Sequence, residues 1–223
     1  MNITPIAKGN LNPQDVFIGL NKTDRTLVVI DNYYLNSLTM YLGYSLDLKE
    51  LRSVLANNCD LQRIVIGSCM KDIPENFKFG TWLAHNGFFT QLKFFTPKDD
   101  EADWEKQERE IKNLRTQIDT AMLIDTMSMA YQNRIDHLVM LVGNNFFVPL
   151  VNHVRNMGIK TTMVTLQLSP AEFWQSKFKY SNAMRKACEF NWELNSIIDL
   201  IESKPFVKNE DRHESIENLK ATG

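Results

Sequence analysis

Thr26-Leu27-Val28-Val29-Ile30-Asp31 is the stretch on which the fold turns. Leu27 to Ile30 form a continuous apolar run, mostly β-branched. Such a run is too short for a core helix and suits a strand buried on both faces. It then ends on a carboxylate. A carboxylate placed directly after a buried strand must meet a polar cavity, a partner or the crevice beyond the strand end. Asp31 is therefore the first candidate functional residue.

Working outward, RIVIGSC (63–69), FTQLKFF (89–95), HLVMLVG (137–143) and KTTMVTL (160–166) read as four more strands. Between them lie helical patterns over 36–57 (interrupted near Gly43), 75–87, 118–131 and 148–158, the last closed by Gly158. PKDDEADWEKQERE (97–110) is a charge-rich connection, a solvated loop or a helix start. Further helices are expected at 170–190 and 191–203. Strands alternating with helices predict an α/β fold: a Rossmann-like three-layer α/β/α arrangement with a mainly parallel five-stranded sheet, plus C-terminal helices. An irregular lead-in occupies 1–25 and one domain occupies 26–203. A polar segment over 204–223 is expected to be flexible.

Composition narrows the function classes. Among 223 residues, 43% are hydrophobic, enough for a substantial core. The 25 basic and 27 acidic side chains leave a formal net charge of −2, so any nucleic-acid binding must come from a local patch. Three cysteines, Cys59, Cys69 and Cys188, are an odd number without close spacing; they read as buried apolar residues of a reducing compartment. The N-terminus lacks the pattern of a secretory signal, and the apolar runs are strand-sized. A cytoplasmic location with no membrane association is the expectation.

Ligands in open parallel sheets collect beyond the carboxyl ends of the strands. That rule marks Asp31 to Tyr34, Gly67-Ser68 and Gly143 to Phe146. None of these holds a glycine-rich phosphate loop, and no serine-nucleophile elbow is present. His85, His137, His153 and His213 have no metal-ligand spacing and read as surface or partly packed residues. The remaining candidates are acidic: Asp31, Asp119 and Asp125. At about 100° per residue, Asp119 and Asp125 sit about 120° apart on a helix and cannot share a face. Asp119 could equally be a first-turn carboxylate complementing a helix dipole.

Several elements then agree in order with a known family. The chain from Gln117 to Val164, including QIDTAMLID and VGNNFFVPL, resembles the core of NYN domains, a LabA-like branch of the PIN-like nucleases. LVVIDNYYL resembles their first strand with its D-x-x-N signature, and the likeness extends over most of 26–203. The resemblance implies a cluster of acidic residues that holds a divalent cation and hydrolyses RNA. Mg²⁺ or Mn²⁺ suits such oxygen ligands. Asp31 would be the first-strand acid, Asp119 the helix acid and Asp125 the second helical Asp. Asp31, Asp119 and Asn144 form the candidate catalytic set, with Asp31 and Asp119 as metal ligands. Asp125, Asn145, Asn32 and Tyr34 are accessory.

The departures are specific. Where the family has S-G-D-x-D-F, this chain has Val142-Gly143-Asn144-Asn145-Phe146-Phe147, so Asn144 and Phe146 stand at two Asp positions. Tyr34 stands at the Asn of D-x-x-N. An amide can ligate a hard cation without contributing charge, whereas phenylalanine cannot ligate one, so Mg²⁺ or Mn²⁺ binding is expected to be weak or absent. The resulting expectation is an RNA-associated protein with a depleted metal site, RNA-binding or regulatory. The alternatives are a slow Mg²⁺- or Mn²⁺-dependent endoribonuclease and a scaffold subunit with a protein partner or a homodimer.

Lys112 and Arg115 precede Asp119 and could contact a phosphate backbone, or simply be solvated charges. The segment 171–190 interleaves Trp174, Phe178 and Tyr180 with Lys177, Lys179, Arg185 and Lys186, and reads as an amphipathic helix or a base-stacking surface. Met122, Met127 and Met129 read as core filling. Trp104 either marks a partner surface or pins the connection.

Overall fold

The apolar run becomes β1 (Arg25–Asp31), in which Leu27 to Ile30 are 0–3% exposed. Successive strand side chains point to opposite faces. Val28 and Ile30 therefore enter one hydrophobic cluster, while Leu27 and Val29 enter another. A strand covered on both faces lies inside its sheet, and β1 pairs in parallel with β3 (Asp60–Lys71) and β5 (His137–Leu141). The computed structural model describes residues 11–97, 104–166 and 182–201, together with the backbone of Lys204–Pro205. The readings made for Trp174, Lys177, Phe178, Lys179, Tyr180, His213 and most of 204–223 lie outside these residues.

The sheet runs β4 (Phe89–Phe95), β3, β1, β5, β6 (Lys160–Thr165), β7 (Phe190–Glu193), and every pairing is parallel. Strand order thus reverses at β1, which opens a crevice between the ends of β1 and β5. On one face lie α2 (Asn32–Leu42), α3 (Leu48–Asn58), α4 (Pro74–His85) and the helix Leu194–Leu200. On the other lie α5 (Trp104–Tyr131), α6 (Val148–Asn156) and the helix Asn182–Ala187. No helix among the described residues is long and apolar enough to cross a membrane.

Six strands replace the expected five. The extra one, β7, straddles the stretches expected as helices over 170–190 and 191–203, and among the described residues of the latter only Leu194–Leu200 is helical. Its Trp192 is 1% exposed, and the indole N–H donates to the Ile18 carbonyl at 2.8 Å. Four residues are too few for periodicity to reveal; pairing with β6 decides their conformation. The lead-in contributes to the same core, with a short helix α1 (Pro13–Val16) and Phe17 edge-on to Trp192 at 4.9 Å. The interruption at Gly43 is a left-handed cap (φ 74°) that ends α2, and a two-residue strand β2 (Tyr44–Ser45) precedes α3.

The charged connection is more helical than its composition suggested: α5 spans 28 residues from Trp104. Its first half is solvated, with an exposed Arg109–Glu105 pair at 3.4 Å, so no apolar stripe announces it. Trp104 is 64% exposed. Met122 and Met129 are buried, and Met127 packs against the same cluster. His137 is fully buried rather than superficial: Nε2 meets Thr162 Oγ1 at 2.7 Å, and Asp24, paired with Lys160 at 2.8 Å, lies beside its ring.

Candidate functional site

Asp31 ends β1 and begins the next helix. Its Oδ1 accepts the backbone N–H of Tyr33 at 2.9 Å and of Tyr34 at 3.3 Å, the N-cap of α2. One carboxylate therefore closes the strand, starts the helix and faces the crevice.

Asp119 arrives from the other helical layer. Gly67 on β3 makes this possible: a Cβ there would lie 2.6 Å from Ile118 Cγ2 and 2.7 Å from Met122 Sδ. The missing side chain lets α5 press onto the sheet and carries Asp119 to the strand ends. Asp119 is the sixteenth residue of α5, so the first-turn, dipole-complementing reading does not apply. Lys112, Arg115, Thr116 and Asp119 follow i, i+3, i+4, i+7 spacing and occupy one helical face.

All of these converge. Asp31, Tyr34, Lys112, Arg115, Asp119 and Asn144 line a single cleft of about 490 Å³, together with Tyr33, Ser37, Ser68, Cys69, Thr116, Ile118 and Gly143. Gly143 is bare because Tyr34 crosses it; an added Cβ would sit 2.4 Å from the ring. Tyr34 thus replaces the polar residue of D-x-x-N with a wall over the start of the β5 loop.

Asn144 has both ends occupied. Its Oδ1 accepts the Phe146 N–H at 2.8 Å, capping the short 3-10 turn Asn145–Phe147, which fixes the direction of its amide. Its Nδ2 consequently donates to Asp119 Oδ2 at 2.9 Å. The Asp119 carboxyl stands at about 6: burial is the main cause and Asp31 adds to it, while the Asn144 hydrogen bond and Arg115 oppose the shift. Burial also raises Asp31, against the Tyr34 and Tyr33 N–H groups and the Arg115 charge.

Among the described residues, Asp31 and Asp119 are the acidic side chains that line the cleft. Two carboxylates converge, the Asn144 oxygen points elsewhere, and Phe146 is an exposed ring. Among the described residues no three His, Cys, Asp or Glu side chains are placed to hold one metal ion.

Other expected accessory residues scatter. Asn32 is buried and donates to Ser68 Oγ at 3.2 Å, behind the cleft wall. Asn145 is exposed on the 3-10 turn. Asp125 faces away and accepts Gln91 Nε2 at 2.8 Å on β4, as its angular offset from Asp119 requires. The strand-end rule marked Tyr33 and Ser68 without naming a task for either, and Cys69, read as buried, is half-exposed in the cleft. Strand-end position was the available signal for Ser68 and Cys69, and helical spacing from Tyr33 and Tyr34 for Ser37.

An all-parallel doubly wound sheet with carboxylates at its switch point is a Rossmann-like architecture. The model of the NYN domain matches residues 25–190, and the chain belongs to that family. A crystal structure of a protein of unknown function from Vibrio parahaemolyticus is similar in fold, with a TM-score of 0.54 at 14% identity over 77% of this chain and 93% of that one. No curated protein sequence matches this chain significantly.

Proposed function

We propose that this NYN domain binds RNA in the Asp31–Asp119 cleft and has given up efficient metal-dependent cleavage. One observation carries the reading: Asn144 presents an amide N–H to Asp119 Oδ2 at 2.9 Å, so a residue that would help to hold a cation is a hydrogen-bond donor to the acid instead. The hydrogen bond offsets the carboxylate charge as a cation would, but supplies neither a Lewis acid nor an activated water. A hard divalent ion left with two carboxylates and no oriented third ligand binds weakly. Lys112 and Arg115 on the same cleft face supply the positive charge for a phosphate backbone.

RNA binding measured in EDTA across a salt series tests this directly. Binding should persist without divalent ions and weaken steeply with salt, because phosphate contacts release counterions. N144D combined with F146D restores two acidic positions and should create Mn²⁺- or Mg²⁺-dependent RNA cleavage. Native cleavage of RNA that Asp31→Ala abolishes would instead establish a working nuclease. Failure to bind RNA at any salt concentration would favour a protein-binding role.

A further inference from the structure

We infer that Tyr33 and Arg115 form a stacking platform at the cleft that seats one unpaired base of single-stranded RNA. The inference rests on the RNA-binding reading and specifies which form of RNA the cleft takes.

Tyr33 lies in the first turn of α2, with its backbone N–H held by Asp31. The Arg115 guanidinium carbon sits 3.8 Å from the centroid of its ring, so one face is covered. Tyr33 is nonetheless 57% exposed, and that exposure must come from the opposite face and the edges.

Arg115 adds an independent observation. Asp31 and Asp119 are near enough to feel its charge, yet among the described residues the guanidinium forms no hydrogen bond or ion pair. Its Nε is buried without a partner. A planar fork of donors, steadied from one side by Tyr33 and unspent at its rim, suits a phosphate. Lys112 stands three residues away on the same helical face and also lines the cleft. A base on the open face of Tyr33 would complete a base–tyrosine–arginine stack and bring the adjoining phosphate toward Arg115 and Lys112. Only an unpaired base presents a free face; a duplex buries both. If the pair were merely a tie between α2 and α5, changing it would alter stability and leave RNA selectivity untouched.

The test uses the full chain in EDTA, with a short adenine oligoribonucleotide carrying one 2-aminopurine and a duplex RNA of equal length. Binding should quench 2-aminopurine in the native protein, in Tyr33→Phe and in Tyr33→Trp, and single strands should bind more tightly than duplex. Tyr33→Leu, which keeps an apolar seat for Arg115, should abolish quenching and weaken single-strand binding about tenfold. Its duplex affinity and salt slope should stay native. Arg115→Gln should reduce the salt slope by about one. Quenching in the native protein needs no variant, so a folding failure in Tyr33→Leu leaves the inference testable. Binding without quenching, native-like affinity in a folded Tyr33→Leu, or equal affinity for duplex would overturn the platform while RNA binding stands. Absence of all RNA binding would sink both.

Discussion

Asn144 sets an amide nitrogen 2.9 Å from an Asp119 carboxylate oxygen, where an aspartate would set a second acid. Asn144→Asp removes that donor and places a second anion against a carboxyl that burial already holds at about 6. In EDTA the variant should unfold at lower temperature than the native chain, by the 1–3 kcal/mol typical of a lost charge-assisted hydrogen bond. Adding Mn²⁺ should recover the loss in the variant and leave the native protein nearly unchanged, as thermal denaturation can read. Asp31 separates differently, because its cap and its charge can be removed independently. Asparagine caps as well as aspartate does. Asp31→Asn should therefore be at least as stable as the native chain, relieved of a charge that burial disfavours. Asp31→Ala should lose about 1 kcal/mol with the cap. Equal losses in the two variants, measured by urea unfolding, would show that the cap contributes little.

At the scale of elements, the site depends on how closely α5 approaches β3. Gly67→Ala sets a methyl group 2.6 Å from Ile118 and 2.7 Å from Met122, both of them buried, so neither can swing aside freely. Overpacking of this kind costs about 1–3 kcal/mol. Moving α5 outward should also weaken the Asn144–Asp119 hydrogen bond, so the variant should lose RNA affinity along with thermal stability. Native affinity in a destabilised Gly67→Ala protein would separate helix packing from the site. This dependence explains what could be read beforehand. β1 is legible because a continuous apolar run has one stable home, whereas the shared face of Lys112, Arg115 and Asp119 emerges only because α5 begins at Trp104 rather than near 118. β7 is not legible, because its four residues become a strand only by pairing with β6. Nor is the first half of α5, whose charged residues lack an apolar stripe. The Tyr33–Arg115 stack joins α2 to α5 across 82 positions, and no local pattern encodes such a meeting.

Across the whole molecule, two titrating groups pull stability in opposite directions. Burial holds His137 down at about 4, against an ordinary value of 6.5; Asp24 favours its charged form, whereas Lys160 opposes it. Between those values the unfolded chain binds a proton that the folded chain refuses. His137 therefore stabilises fully above about 6.5, and its contribution is lost as pH falls toward 4. Asp119 has the opposite sign. Its carboxyl is raised from 3.8 to about 6, so the folded chain holds a proton that the unfolded chain has released, and stability is lost as pH rises through that window. Between pH 4 and 6 these two contributions oppose each other. Removing either group should expose the other. Urea unfolding of Asp119→Asn should show stability climbing with pH over that range, while His137→Asn should show it falling. Parallel curves for all three proteins would mean that neither side chain is held away from its ordinary titration. The strand-end site and the far end of β1 would then contribute nothing to the pH response of the fold.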